Sequence, residues 1–382
     1  MNFSFKVCYR LLPVLFCCVL PQAIAETGVS EKKILLGQSA AFSGPAAQLG
    51  IQMHAGAKVY FDRVNESGGI HGRKIEIITA DDKYESKLAE ENTKKLIETD
   101  EVFALFGYVG TPTSNAALPI FTKEKVPFFA PFTGAQSLRE PFNRQIFNMR
   151  ASYFDETEHL VSGLIKNGMT KIAVFYQNDS YGQAGLKGVE RALAKMNVPM
   201  LAKATVERNS KDVDAAVRSI FPAQPDAVIQ ISAYSSCAAF IKAMRAKGYY
   251  GQFHNVSFVG SQALADTFGD DGPGVVISQV VPFPWSQATP IVAEYTKAMH
   301  KAQKEINFSS LEGYMAAKLF TEGLRRAGRD LSRDKFIKAL ETIDNASGYD
   351  IGGFPINFSP TNHNGSKFVD MTMILKNKKF RN

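Results

Sequence analysis

The clearest place where polar groups could act on another molecule is Gly107 to Ser114, GYVGTPTS, directly after the apolar run VFALF. Thr111 stands where a helix N-cap belongs and Pro112 at the first helical position, which would leave the backbone N–H groups of Thr113 and Ser114 unpaired. Free amides, a threonine hydroxyl and the positive end of a helix dipole together make a socket for a carboxylate. An ordinary capped helix has the same local pattern, so both readings stand. With no lysine after its glycines, the loop is not a phosphate-binding P-loop.

Other reactive side chains are poorly arranged for catalysis. The six histidines, His54, His71, His159, His254, His300 and His363, are scattered, with no His-Glu-x-x-His spacing and no cysteine partner. No metal site is expected from them, and most should lie at the surface. There is no Gly-x-Ser-x-Gly elbow, and Gly269–Gly274 (GDDGPG) lacks the strand-to-helix setting of a dinucleotide loop. Asp81 and Asp82 leave a strand as neighbours, so they point to opposite sides and read as structural. Neither an enzymatic activity nor a cofactor is expected.

The chain has 382 residues, 45% hydrophobic and 21% charged, which excludes collagen-like, disordered and multi-span membrane proteins. One core would be large for this length, so two lobes are expected. Lys6 and Arg10, then the run Leu11 to Leu20, then Ala23-Ile24-Ala25 read as an export signal cleaved after Ala25. Ten apolar residues are too few to cross a bilayer, which takes roughly 20. Loss of Lys6 and Arg10 lowers the formal charge from +7 to +5. That is too small and too dispersed for nucleic-acid binding, and the basic tail Lys376 to Arg381 reads as a solvated end. Of four cysteines only Cys237 lies beyond the signal, beside Ala238, Ala239 and Phe240. A buried, inert thiol is expected there.

These residues need elements to position them. Short apolar runs at Ile34–Gly37, Lys74–Thr79, Val102–Phe106, Pro127–Ala130, Ile172–Tyr176, Ala227–Ile231 and Val256–Val259 alternate with amphipathic segments such as Gln48 to Val64. Such alternation implies an α/β fold of doubly wound parallel sheets, with ligands beyond the carboxyl ends of the strands. The loops after the runs therefore carry the site. Pro131–Gln136 (PFTGAQ) offers Phe132 as a wall and Gly134 for close backbone approach. Gln177–Gly182 places Tyr181 just before a helix, and Tyr234 and Gln262 hold matching places one and two units later.

In order and spacing the segments SGPAAQLG, NESGGIHGRKIEII, FGYVGTPTS, VPFFAP, IAVFYQNDSYGQAG, DAVIQISAY and FVGSQALAD resemble the periplasmic leucine/isoleucine/valine-binding proteins that serve ABC importers. The likeness covers the whole chain after the signal. It implies two lobes joined by a three-strand hinge, with crossings near Met149–Phe154, Gln279–Phe283 and Gly348–Phe354. Lobe I would comprise residues 26–150 and 281–351, and lobe II residues 151–280 and 352–382.

The resemblance also implies site roles. A ligand carboxylate would be held at Thr111 and by Phe132, Thr133 and Gly134, and the second lobe would close with Tyr181 and Tyr234. The family's ammonium-binding carboxylate falls at Gln262, which carries no charge. Gly134 replaces a usual threonine, with Thr133 alongside to supply a hydroxyl; Leu49 stands where the pocket wall is often aromatic, and Phe132 where a small residue is common. A first-lobe disulfide of some members maps to Tyr84 and Gly110, so both cysteines are absent together. The resemblance implies a monomeric periplasmic binding protein that delivers a branched-chain or related amino acid to importer membrane subunits. An aromatic carboxylate or a small amide or urea is the alternative ligand, and a sensor that reports to a membrane receptor the alternative role.

Overall fold

The computed structural model describes residues 1, 3, 4, 26–268, 272–344, 346, 347 and 349–382, so the expected signal falls almost wholly outside the described residues. Strands β1 (Lys33–Ala40), β2 (Lys74–Asp81), β3 (Ala104–Phe106), β4 (Phe128–Phe129) and β5 (Ile146–Phe147) make one sheet in the order β2-β1-β3-β4-β5, every pairing parallel. Parallel neighbours need crossovers, supplied between them by α1 (Ala47–Glu66), α2 (Ser86–Glu98) and α3 (Thr111–Lys123). Almost every residue of β1, β3, β4 and β5 is buried, the pattern of strands covered on both faces.

The second lobe opens with α4 (Tyr153–Lys166) and continues β6 (Ile172–Gln177), α5 (Ser180–Lys195), β7 (Ala202–Val206), α6 (Asp214–Ile220), β8 (Ala227–Ile231), α7 (Tyr234–Ala246), β9 (Gln252–Asn255), α8 (Ser261–Phe268) and β10 (Val276–Gln279). The chain then returns to the first lobe as α9 (Pro290–Lys301), α10 (Phe308–Ala327) and α11 (Arg333–Leu340). Helix α10 lies along α1 so closely that a Cβ on Gly56 would come within 1.7 Å of the Ser310 carbonyl oxygen, and one on Gly313 within 2.0 Å of that of Met53. Finally β11 (Asp370–Ile374) and β12 (Phe380–Arg381) extend the second sheet, in the order β12-β11-β10-β9-β8-β6-β7.

The doubly wound α/β expectation holds for both lobes, with four local differences. First, Val256–Val259 is not a strand: the ladder runs through Gln252–Asn255, and Ser257–Val259 is a 3₁₀ turn whose buried apolar residues face the other lobe. Second, the basic tail is not a free end. Phe380 and Arg381 pair antiparallel with β11, which itself runs antiparallel to β10, and Phe380 stacks on Trp285 at 5.2 Å.

Third, the last crossing falls later than expected. The Phe358 N–H donates to Ile343, and Asn148 and the His363–Gly365 segment exchange backbone bonds in both directions. Residues 352–365 thus lie with the first sheet, not in the second lobe, and the chain crosses between Gly365 and Asp370. Fourth, His71, His159 and His300 are exposed, but His254 and His363 are buried, and desolvation lowers each to about 4, which keeps them neutral.

Among the described residues no helix is long and apolar enough to cross a membrane, and no group of three His, Cys, Asp or Glu side chains is placed to hold a metal ion. Cys237 is fully buried and its thiol donates to the Ser232 carbonyl at 3.4 Å, while desolvation raises its pKa well above the usual thiol range. Its thiolate is accordingly scarce. Native protein at pH 8 should leave Cys237 unmodified by iodoacetamide over a time in which urea-unfolded protein reacts fully; equal rates, read by mass spectrometry, would contradict the burial.

Candidate functional site

At the carboxyl edge of the first sheet the two loops read from the sequence are stitched side by side. Phe132 N–H donates to Tyr108 at 2.7 Å and Gly110 N–H to Phe132 at 3.2 Å. Helix α3 starts at Thr111 itself, one residue earlier than expected. Gly110 takes the cap position with a φ of 102°, and no side chain caps the helix. Ser114 N–H is used by Gly110 at 3.1 Å, so of the two amides expected to be free only that of Thr113 lacks a partner among the described residues.

The Thr111 hydroxyl, released from capping, sits 2.7 Å from that of Thr133, which donates in turn to the Tyr153 hydroxyl at 3.2 Å. Three hydroxyls from two lobes thus meet at the start of α3. The glycine at 134 follows from this arrangement, since a Cβ there would lie 2.7 Å from the Tyr153 ring. The neighbouring Thr133 carries the hydroxyl that bonds Thr111 and Tyr153.

A left-handed turn brings Tyr84 to the same place. Lys83 and Tyr84 have φ values of 52° and 62°. Asp81 accepts the Lys83 N–H at 3.0 Å, and Asp82 accepts the Tyr84 N–H at 2.8 Å and the Ser39 hydroxyl at 2.8 Å. The adjacent aspartates are therefore structural, as expected, and what they hold is a residue of the cleft. The Tyr84 ring covers Gly110, where a Cβ would come within 2.2 Å of it. An aromatic contact thus occupies Tyr84 and Gly110, the two positions to which the resemblance assigns a disulfide.

From the second lobe Asp179 caps α5 by accepting Tyr181 N–H at 2.9 Å, which points Tyr181 into the interface. Its ring centroid lies 4.6 Å from that of Phe258 and 5.3 Å from that of Tyr153, and Phe258 lies 5.8 Å from both Tyr84 and Phe132. These five buried rings form one cluster across the lobe boundary. The Tyr181 hydroxyl has no hydrogen-bond partner among the described residues, and burial raises its pKa, so it stays a neutral donor.

Leu49 is fully buried in the lobe contact: a Cβ on Gly260 would meet its Cδ2 at 2.5 Å. Tyr234 reaches across to the Gln48 N–H at 3.5 Å. Gln262 stands apart. It is half-buried, lies 3.4 Å from the carboxylate oxygens of Asp266, and lines a separate groove of about 580 Å³ with Phe283, Trp285, Lys304 and Phe380. The structure therefore gathers Thr111, Phe132, Thr133, Gly134, Tyr181, Leu49 and Tyr234 along one lobe interface, and places Gln262 of the second lobe in a groove whose other walls include His300, Lys304 and Glu305 of the first.

At the hinge a buried ionic network joins the lobes. Arg150, on the first crossing, donates through Nη2 to Glu312 at 3.1 Å and to the Ser257 hydroxyl at 2.9 Å. Its Nε lies 3.1 Å from Glu312, and its guanidinium carbon sits 4.4 Å above the Phe132 ring. Glu156 accepts from the Ser257 N–H and hydroxyl and from Ser278. Desolvation raises Glu312 to about 7 despite Arg150, and raises Glu156 as well. At the opposite rim Arg208 of the second lobe bonds Glu85 of the first at 2.8 Å.

The sequence profile of the periplasmic binding protein family matches residues 33–378. The chain belongs to that family. It is similar to Leu/Ile/Val-binding protein homolog 7 of Brucella suis biovar 1, 26% identical over 365 residues that cover 89% of each chain. A solved structure described as a possible leucine/isoleucine/valine-binding protein from Rhodopirellula baltica SH 1 is 33% identical, with a TM-score of 0.86 over 93% of this chain and 97% of that one. A substrate-binding periplasmic protein from Ralstonia solanacearum is 29% identical, with a TM-score of 0.85 over 91% and 99%. Proteins of this family bind substrates and are not enzymes, and this periplasmic binding protein has the two α/β lobes of type I members.

Several site residues escaped the sequence reading. Arg150 and Tyr153 lay inside a stretch read only as a crossing, Phe258 inside an assumed strand, and Tyr84 only as a missing cysteine. A buried polar group gives little signal in one sequence. The adjacent Asp81-Asp82-Lys83-Tyr84 turn was the accessible clue.

Asp82 gives this binding protein a pH signature. Its pKa is pushed up from 3.8 to about 7, first by desolvation, against the pull of the Ser39 and Tyr84 bonds. The folded state thus holds a proton that the unfolded state has lost between roughly pH 4 and 7, so this group's contribution falls as pH rises through that window and the penalty is complete above it. Asp82→Asn removes the penalty. The variant should gain on the wild type by on the order of 2 kcal/mol at pH 8 relative to pH 5, read by thermal unfolding; an equal difference at the two pH values would contradict it.

Proposed function

We propose that this periplasmic binding protein is exported with cleavage after Ala25, works as a monomer, and delivers a small organic carboxylate to the membrane subunits of an ABC importer. The ligand class that the relatives' names supply is leucine, isoleucine and valine. One observation carries the reading: the Thr111–Thr133 hydroxyl pair at the start of α3, bonded to Tyr153, against whose ring packs Tyr181 with a buried hydroxyl that has no partner among the described residues. A buried polar atom left unpaired costs about 1–3 kcal/mol, and a ligand oxygen between the lobes would remove that cost.

The mechanism is a population shift. A ligand that touches both lobes favours the closed arrangement by its differential contacts, here Thr111 and Thr133 on one side and Tyr181 and Tyr234 on the other. No bond of the ligand is made or broken. An aromatic carboxylate or a small amide is a second reading, favoured by the five rings that line the lobe interface.

A thermal-shift series over leucine, isoleucine, valine, benzoate and small amides tests the reading, because a ligand of the native state raises the midpoint with the logarithm of its concentration above Kd. Carboxylates should raise it, and Thr111→Ala should weaken the active ones about tenfold, the worth of one charge-assisted hydrogen bond. Amides as effective as carboxylates, or an unaltered response in Thr111→Ala, would contradict a carboxylate at α3.

A further inference from the structure

This inference rests on the carboxylate reading above and concerns the charge of the whole ligand. Every carboxylate beside the five-ring cluster is already engaged among the described residues. Glu156 takes three bonds from Ser257 and Ser278, and both oxygens of Glu312 face Arg150. Asp179 accepts from Tyr181, Gly182, Gln177 and Arg208, and Asp82 from Ser39 and Tyr84. Gln262, where an ammonium partner belongs by resemblance, carries no charge and lines a groove with Lys304 and Glu305 of the first lobe, and its neighbour Asp266 is paired with Lys378 at 3.1 Å.

Two of the unused groups are donors. Nη1 of Arg150 is buried without a hydrogen-bond partner among the described residues, on a guanidinium that stacks over Phe132, the residue before Thr133. The Tyr181 hydroxyl is likewise unpartnered. The unpartnered acceptor beside the rings, Oε1 of Gln177, is neutral, and no carboxylate there is free of bonds among the described residues, so an α-ammonium closed in this interface would lack a counter-charge.

We propose that the ligand is a monocarboxylate with an apolar body and no ammonium group, its carboxylate held by Thr111, Thr133 and Arg150, with Tyr181 as a further donor. The body packs among Tyr84, Phe132, Tyr153 and Phe258. Arg150 faces Glu156 and Glu312, and Arg139 faces Asp155 and Glu156, two cations against three carboxylates, so an added anion is best accommodated when Glu312 carries a proton. Affinity for the acid should therefore fall as pH rises from 6 to 8, a range in which a simple carboxylic acid is already ionised.

The test is isothermal titration with pairs that differ only in the ammonium group: leucine against 4-methylpentanoate, and phenylalanine against 3-phenylpropanoate. The des-amino member should bind about tenfold or more tightly in a pair that binds at all. Tighter binding of the amino acid overturns the inference and leaves the carboxylate site standing. No binding by either pair, together with no carboxylate response in the thermal series, overturns the carboxylate site and this inference with it.

Arg150→Lys should weaken the acid by losing the guanidinium fork. Should it fail to fold, Tyr181→Phe decides. Because the hydroxyl has no protein partner, that variant should keep or raise the melting temperature of ligand-free protein while it weakens the acid about tenfold. A lower melting temperature, or unchanged affinity, would overturn the role given to Tyr181.

Discussion

Closing two lobes on one another takes polar groups out of water, and each then needs a partner. That constraint organises this molecule. Where the lobes meet, most polar groups find partners in the opposite lobe: Thr133 with Tyr153, Gln177 with Tyr84, Arg150 with Ser257, Arg208 with Glu85. The exceptions include the Tyr181 hydroxyl, whose ring packs against that of Tyr153, and Nη1 of Arg150, whose guanidinium stacks over Phe132, the residue before Thr133. A site for a small polar molecule is defined by these exceptions more than by a visible cavity.

The fold supplies the positions. Parallel strands end at one edge in each lobe, so the loops after β2, β3 and β4 present Tyr84, Thr111 and Thr133 together, while β6 and the turn after β9 present Tyr181 and Phe258. Local backbone chemistry then aims each side chain. The Asp81-Asp82 pair fixes Tyr84, the Asp179 cap fixes Tyr181, and the ring of Tyr153 over Gly134 leaves Thr133 as the hydroxyl donor. Arg150 sits on a crossing strand between Glu312 of one lobe and Ser257 of the other, so the hinge and the site share a residue.

Much of this was legible beforehand where it depends on periodicity. Alternating apolar runs and helices pointed to the two α/β lobes, the GYVGTPTS loop to Thr111 and the PFTGAQ loop to Phe132 and Gly134, while Thr133 came from the family resemblance. Periodicity is blind where a short apolar run does not form a strand. Val256–Val259 folds as a tight turn because Phe258 is needed in the other lobe's aromatic cluster, and the strand is built instead from QFHN, whose His254 and Asn255 are buried. Phe380 likewise lay hidden in a run of lysines and stacks on Trp285. Arg150 was invisible because a buried arginine is recognised only by its partners, Glu312 and Ser257, which lie 162 and 107 residues away.

The most direct measurement is a crystal structure of the protein with a tightly binding carboxylate. Density for the acid group between the Thr111 and Thr133 hydroxyls, with the body among Tyr84, Tyr181 and Phe258, is the outcome expected from this geometry. A ligand seated in the groove of Gln262 and Trp285, with the hydroxyl pair unchanged and Tyr181 still unpartnered, would contradict it.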